Sequence, residues 1–328
     1  MEKKDFRIVF MGTPEFAVAS LEVLVNEGYT IAGVITAPDK PAGRGKKLQS
    51  SAVKLYAESK GLPILQPEKL KAESFIEALT ALKADLQVVV AFRMLPEVVW
   101  DMPPKGTINL HASLLPQYRG AAPINRAIMN GETVTGVSTF FLTHEIDTGS
   151  IINRVELPIG DNETAGELHD RMMLAGANLL ATTIEQIMTD NYITIPQDNA
   201  SAPLQTLKSA PKIFKEDCII EWNHEGNSVF NQIRGLSPYP GAFTYIHSEN
   251  TDPYQLKIFN SHFEPYEDSN YTYEPGSIVI EGRNRMKIAS KDGWIIATEV
   301  QQSGRKRMSV ADYLRGLHDF NGLIAKNQ

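Results

Sequence analysis

A chain of 328 residues with 42% apolar and 22% charged residues has the makeup of a soluble globular protein, long for one core and comfortable for two domains. Its one cysteine, Cys218, excludes a disulfide framework within the chain and a four-thiolate zinc site, and fits a reducing cytoplasm. The net charge of −7 counts against a generally basic nucleic-acid binder, and no run approaches the ~20 apolar residues of a membrane span. The charge is uneven, however. Residues 1–200 hold 18 basic against 24 acidic residues, whereas the remainder holds 14 against 15, with basic residues gathered at Arg283, Arg285, Lys287, Lys291 and 305–307. A phosphate-binding face on the C-terminal part is compatible with that balance.

The first residues pair basic side chains with an apolar run. That run stops at Met11 and Pro14-Glu15 interrupts it, so it reads as a first strand, Arg7–Met11, and not as a signal peptide. Thr13 and Pro14 then open a helix carrying Phe16, Leu21, Leu24 and Val25 on one face up to Gly28. Ile31–Thr36 is predicted as a strand, Ser51–Lys60 as a helix, Leu62–Leu65 as a strand, Ser74–Lys83 as a helix and Leu86–Ala91 as a buried strand. Thr107–His111 follows as a strand, Pro123–Asn130 as a helix, and Gly136–Thr143 and Ile151–Leu157 as strands. Such alternation implies an α/β, Rossmann-like domain with a mostly parallel sheet covered on both faces. A long helix over Thr164–Asp190 opens on a capping box, Thr164 with Glu167.

Periodicity then fails in a polar, proline-containing stretch, which gives a division into a first domain at 1–191, a linker at 192–211 and a second domain at 212–328. Beyond the linker, Asp217–Trp222, Gly241–Ile246, Leu256–Phe259, Gly276–Ile280 and Trp294–Val300 read as short strands, with helices at Asn227–Leu236 and Val310–Gly316. That spacing predicts a small β-barrel-like domain.

Three polar groups stand out. Asn109 and His111, two apart on a predicted strand, share one face of an otherwise apolar segment, and polar side chains there need a reason. Asp147 begins a Thr-Gly turn after another apolar run. An amide donor, an imidazole and a carboxylate, with no Ser or Cys nucleophile, suit attack by a substrate amine on a carbonyl. One histidine and one carboxylate without a third ligand do not make a metal site. The turn at Gly12 lacks the further glycines of a dinucleotide fingerprint, which ranks a nicotinamide enzyme last. Residues 40–47, KPAGRGKK, form a glycine-rich basic loop after the second strand, suited to a polyanion.

The segments FMGTPEF at 10–16, APDKPAGRGKKL at 37–48, NLHASLLPQYRGAAPI at 109–124, EIDTGSI at 145–151, LSPYPGAFT at 236–244 and GRKRMSVADYLRG at 304–316 closely resemble the methionyl-tRNA formyltransferase family over essentially the whole chain. The resemblance implies formyl transfer from 10-formyltetrahydrofolate to the methionine amino group of initiator methionyl-tRNA, by a cytoplasmic enzyme without a metal. Asn109, His111 and Asp147 are then the catalytic residues. Folate lies along Val90, Phe92, Arg93 and Leu95 and along Ser113, Leu114, Leu115, Pro116, Gln117 and Tyr118. Phe16 lies near the methionine, while Arg44, Lys46, Lys47, Arg305, Lys306 and Arg307 meet the tRNA, the last three from an OB-like barrel. No membrane and no obligate protein partner are implied, and a monomer is expected. Many family members carry Tyr-Gly where this chain has Phe92-Arg93, which implies altered contacts on the pterin side. The nearest rival is a folate-dependent enzyme acting on a nucleotide-linked amino sugar, which shares the polar trio; a non-catalytic RNA-binding protein is a second.

Overall fold

The computed structural model describes residues 2–42, 47–200, 206–249, 252–268, 273–317 and 322–327. The first elements are β1 (Arg7–Gly12), α1 (Glu15–Asn26), β2 (Thr30–Ile35), β3 (Lys40–Ala42), β4 (Lys47–Gln49), α2 (Ala52–Ser59), β5 (Ile64–Leu65) and α3 (Glu73–Ala81). Next come β6 (Leu86–Val90), α4 (Glu97–Trp100), β7 (Thr107–His111), β8 (Arg119–Gly120), α5 (Pro123–Met129), β9 (Val134–Phe141), β10 (Ile151–Pro158), α6 (Ala165–Met188) and α7 (Gln197–Ala200). The remainder comprises β11 (Ser209–Ala210), α8 (Gly226–Leu236), β12 (Ala242–His247), β13 (Tyr254–Pro265), β14 (Ile278–Glu281), β15 (Arg285–Ala289), β16 (Gly293–Gln302), β17 (Met308–Ser309), α9 (Val310–Arg315) and β18 (Ile324–Lys326).

The chain resolves into two compact units. One comprises Met1–Gly120, Thr135–Leu157 and His169–Ser209; the other comprises Ala121–Val134, Pro158–Leu168 and Ala210–Gln328. This partition differs from a single break at 192–211. Residues 121–134 join the second unit because α5 packs on α8. Asn125 donates to the Gly235 carbonyl at 2.7 Å, and a Cβ on Gly235 would sit 2.7 Å from Met129.

In the first unit, seven strands among the described residues lie in the order β10-β9-β7-β6-β1-β2-β5. From β7 to β5 the pairing is parallel, and β9 runs antiparallel to β7. All of β6 is buried, Gln87 included, as expected of a mostly apolar strand covered on both faces. The chain winds from β1 out to β2 and β5, then returns to the other side of β1 with β6 and β7. Their carboxyl ends therefore open a crevice at the switch between β1 and β6. Gly12 closes β1 where a Cβ would lie 2.7 Å from Ala17 and 3.0 Å from the Val90 carbonyl, so α1 starts tight against the sheet. Pro14, not Thr13, takes the cap position, with extended backbone and no side-chain cap. The capping box of α6 forms as read, with the Thr164 amide donating to Glu167 at 2.9 Å, a bond that holds the Glu167 carboxyl below its usual pKa. The basic loop at 40–47 is framed by β3 and β4, which pair as an antiparallel hairpin.

The second unit is an antiparallel sheet, β14-β15-β16-β13-β12-β18, with β17 beside β16. Its ends meet through a bridge between Ser277 and Ile324, making a nearly closed barrel around Trp222, Ile258, Ile295 and Leu314. The predicted strand at Asp217–Trp222 is instead a 3₁₀ turn at Glu216–Cys218 followed by a lone bridge from Ile219 to Phe243. The segment Leu256–Phe259 lies in the first half of the much longer β13, and β15, β17 and β18 are additional strands. Closure depends on Gly276, whose φ is +88° and whose Cβ would come 2.1 Å from the Ala325 carbonyl oxygen. Gly276→Ala is expected to destabilise the barrel by about 3 kcal/mol, seen as a lowered Tm in calorimetry, since both backbone strain and a backbone clash oppose it.

Candidate active site

The two-residue period of β7 sends Asn109 and His111 to one face. His111 is buried, 6% exposed, and its Nε2 donates to the Tyr118 carbonyl at 2.8 Å. A carbonyl only accepts, so this bond fixes the proton on Nε2 and leaves Nδ1 as the nitrogen that exchanges protons. Nδ1 faces Asp147 Oδ2 across 3.8 Å, too far for a hydrogen bond and close enough for an ion pair once Nδ1 is protonated. The same Oδ2 accepts the Gly120 amide at 3.0 Å. Asn109 is half-buried, and among the described residues its side-chain amide makes no hydrogen bond, leaving its donors for a ligand. The three predicted groups thus come from β7 and from the turn between β9 and β10.

Among the described residues, three of the five non-glycine residues with positive φ lie in the segments that carry the expected site residues. Ala91, Tyr118 and Asp147 adopt φ of 47°, 58° and 55°, a region that L residues avoid. Each costs of order 1 kcal/mol and persists because neighbours hold it. For Asp147 the neighbour is Gln197, in the stretch expected to be a linker. The Gln197 Nε2 donates to the carbonyls of Asp147 and Gly149, both at 2.8 Å. Its Oε1 accepts Arg119 Nε at 2.9 Å and Nη2 at 2.6 Å. Sequence reasoning missed Gln197 because a residue that acts through other residues' carbonyls leaves no pattern of its own.

The folate-lining expectation divides in two. Val90 and Leu95 are buried, Phe92 is half-buried against the Leu95–Val99 core, and Met94 is 70% exposed. Among the described residues, the backbone of 92–95, just past the carboxyl end of β6, makes no backbone–backbone hydrogen bond. Arg93 turns away from that edge, donating from Nη1 to the Glu68 carbonyl at 2.9 Å and from Nη2 to that of Pro67. In 113–118 the side chains mostly hold the segment together. Ser113 donates to the Gln117 carbonyl, Leu115 packs with Phe140 and Ile151, and Pro116 and Tyr118 are buried. Gln117 holds Lys208 through the latter's amide at 2.8 Å, and Leu114 packs over Gly136. This segment frames His111.

Phe16 is 6% exposed at the start of α1, with its ring 5.2 Å from that of His169. Arg44, Lys46 and the Lys47 side chain lie outside the described residues. On the barrel, Arg305, Lys306 and Arg307 are exposed on the turn between β16 and β17. Arg307 is paired with Glu299 and lies over Phe259, whereas Arg305 and Lys306 have no carboxylate partner among the described residues. Arg285 and Lys287 also pair with carboxylates, at Glu264 and Glu281, so the basic cluster is less cationic than its count of residues.

A family profile described as formyl transferase matches residues 6–184, and one described as formyl transferase, C-terminal domain, matches 212–318. The methionyl-tRNA formyltransferase of Parabacteroides distasonis is 53% identical over 96% of this chain and 97% of its own length. The chain belongs to the methionyl-tRNA formyltransferase family. The family member of Flavobacterium johnsoniae is 50% identical, with 97% of each chain covered. Among solved structures, a sugar 3-N-formyltransferase crystallised with dTDP and 5-N-formyl-THF superposes with a TM-score of 0.63 at 22% identity, covering 92% of this chain and 99% of that one. At that identity it establishes the formyltransferase fold, and the family assignment rests on the close relatives.

Proposed function

We propose that this protein transfers the formyl group of 10-formyltetrahydrofolate to the amino group of methionine esterified to initiator tRNA, acting as a cytoplasmic monomer. The observation that carries the reading is the 3.8 Å approach of His111 Nδ1 to Asp147, with Asn109 on the same face of β7 as His111, in a chain 53% identical to the Parabacteroides distasonis enzyme. The sugar-directed alternative is supported only by structures about one-fifth identical, which speak for fold.

The folate donor supplies the formyl carbon, and the open backbone at 92–95 offers it hydrogen bonds beside the wall of Phe92 and Met94. Breaking one C–N bond and making another moves one proton from the attacking amine to the departing nitrogen. Asn109 donates its unpaired amide N–H to the formyl oxygen as negative charge gathers there. His111 and Asp147 handle the proton. The Tyr118 carbonyl restricts exchange on the imidazole to Nδ1, and Asp147 stabilises the cation formed when Nδ1 is protonated. The exposed Arg305 and Lys306, with Lys40 at the base of the β3–β4 hairpin, favour a polyanionic acceptor.

Radiolabelled formyl donor offered with charged initiator tRNA, charged elongator methionine tRNA and a UDP-amino sugar tests the proposal. Label transferred to the initiator tRNA alone is expected; label on the sugar, or on none, overturns it. Asn109→Ala is expected to slow turnover by roughly 10² without loss of folate binding, the size of one oxyanion donor. Single-turnover formylation checks this, and a change within threefold removes Asn109 from the mechanism.

A further inference from the structure

Asp147 sits in a left-handed conformation on a turn pressed against the sheet. A Cβ on Gly149 would lie 1.7 Å from the Phe141 carbonyl oxygen, so the turn cannot relax by shifting toward β9. We infer that Gln197, locked by Arg119, is a positioning residue that fixes the Asp147 carboxylate opposite His111; the inference rests on the reading of the site given above. A paired bridge between Ile151 and Ile195 brings the chain back beside β10, and Gln197 follows two residues later, 3% exposed. Arginine only donates, so its two bonds to Gln197 Oε1 settle which end of the amide faces which way. Nε2 is thereby aimed at the carbonyls of Asp147 and Gly149, on either side of Thr148.

The three residues 118–120 then act together on the catalytic pair. The Tyr118 carbonyl sets the His111 tautomer, the Gly120 amide holds Asp147 Oδ2, and the Arg119 side chain orients the glutamine that grips the Asp147 turn. Movement of the turn changes the 3.8 Å separation directly, while folate-facing backbone at 92–95 is untouched. The effect belongs in kcat and not in KM for the formyl donor.

The test uses Gln197→Met, of similar shape without hydrogen bonds, and Gln197→Glu, which keeps an acceptor for Arg119 and loses both donations. Each is expected to lower kcat about tenfold or more with KM for the donor changed less than threefold. In an Asp147→Asn background the Gln197→Met change should cost less than twofold, because its effect passes through the carboxylate. An equal loss in both backgrounds, or wild-type kcat in Gln197→Met, overturns the inference. Amide hydrogen exchange at residues 147–150 reads the turn without any turnover, and is expected to quicken at least tenfold in Gln197→Met. Unchanged exchange overturns the inference even if the unsubstituted protein formylates nothing, a result that would instead remove the functional reading. If Gln197→Met does not fold, Arg119→Lys is read by the same measurements with the same outcomes.

Discussion

His111→Gln is expected to form product 10³–10⁴-fold more slowly than the unsubstituted protein, with folate affinity changed by less than threefold. The glutamine amide reaches the position of Nε2 and can still donate toward the Tyr118 carbonyl, so the 113–118 segment keeps its frame. What disappears is Nδ1, the single nitrogen of the trio free to gain and lose a proton. General acid–base catalysis by a placed side chain is worth ~10²–10⁴. The upper part of that range applies because, in the proposed mechanism, the same imidazole also becomes the cation that Asp147 stabilises. Single-turnover formylation with saturating donor, beside a fluorescence titration of folate, separates chemistry from binding. A loss under tenfold would show that Asp147 or solvent moves the proton unaided.

Asp147→Asn tests the other half of the pair with less disturbance than most substitutions allow. Asparagine tolerates the φ of 55°, and its carbonyl oxygen can still accept the Gly120 amide. Gln197 grips the main chain, so the turn stays in place. The substitution therefore removes charge and little else. Turnover is expected to fall about 10³-fold, since protonated His111 loses its counter-ion. Reaction rates across the neutral pH range check the assignment. A variant within fivefold of wild type would restrict Asp147 to shaping its turn.

Much of the first unit was legible in the chain. Mostly apolar runs such as Leu86–Val90 are buried strands because parallel sheets are covered on both faces, and Thr164 with Glu167 caps a helix wherever the motif precedes an apolar stripe. The barrel was legible as a kind of structure and not strand by strand. In β15 the inward Met286 and Ile288 alternate with Arg285 and Lys287, and the basic side chains disguised a strand as a charged surface. The pairing of Arg285 with Glu264 joins residues 21 positions apart on different strands, which no local pattern reports.

The sequence by itself determined that Asn109 and His111 share a face, since a strand's side chains alternate with a period of two and nothing distant can change that. It also placed Asp147 on a turn and Gly12 at a strand's end, because local sterics decide both. Only the tertiary structure decided that His111 exchanges protons at Nδ1, that Asp147 stands 3.8 Å away, and that Gln197 and Arg119 hold it there. Those facts depend on contacts between backbone atoms of separate segments. Every residue carries the same carbonyl and amide, so no choice of side chain announces which of them will meet.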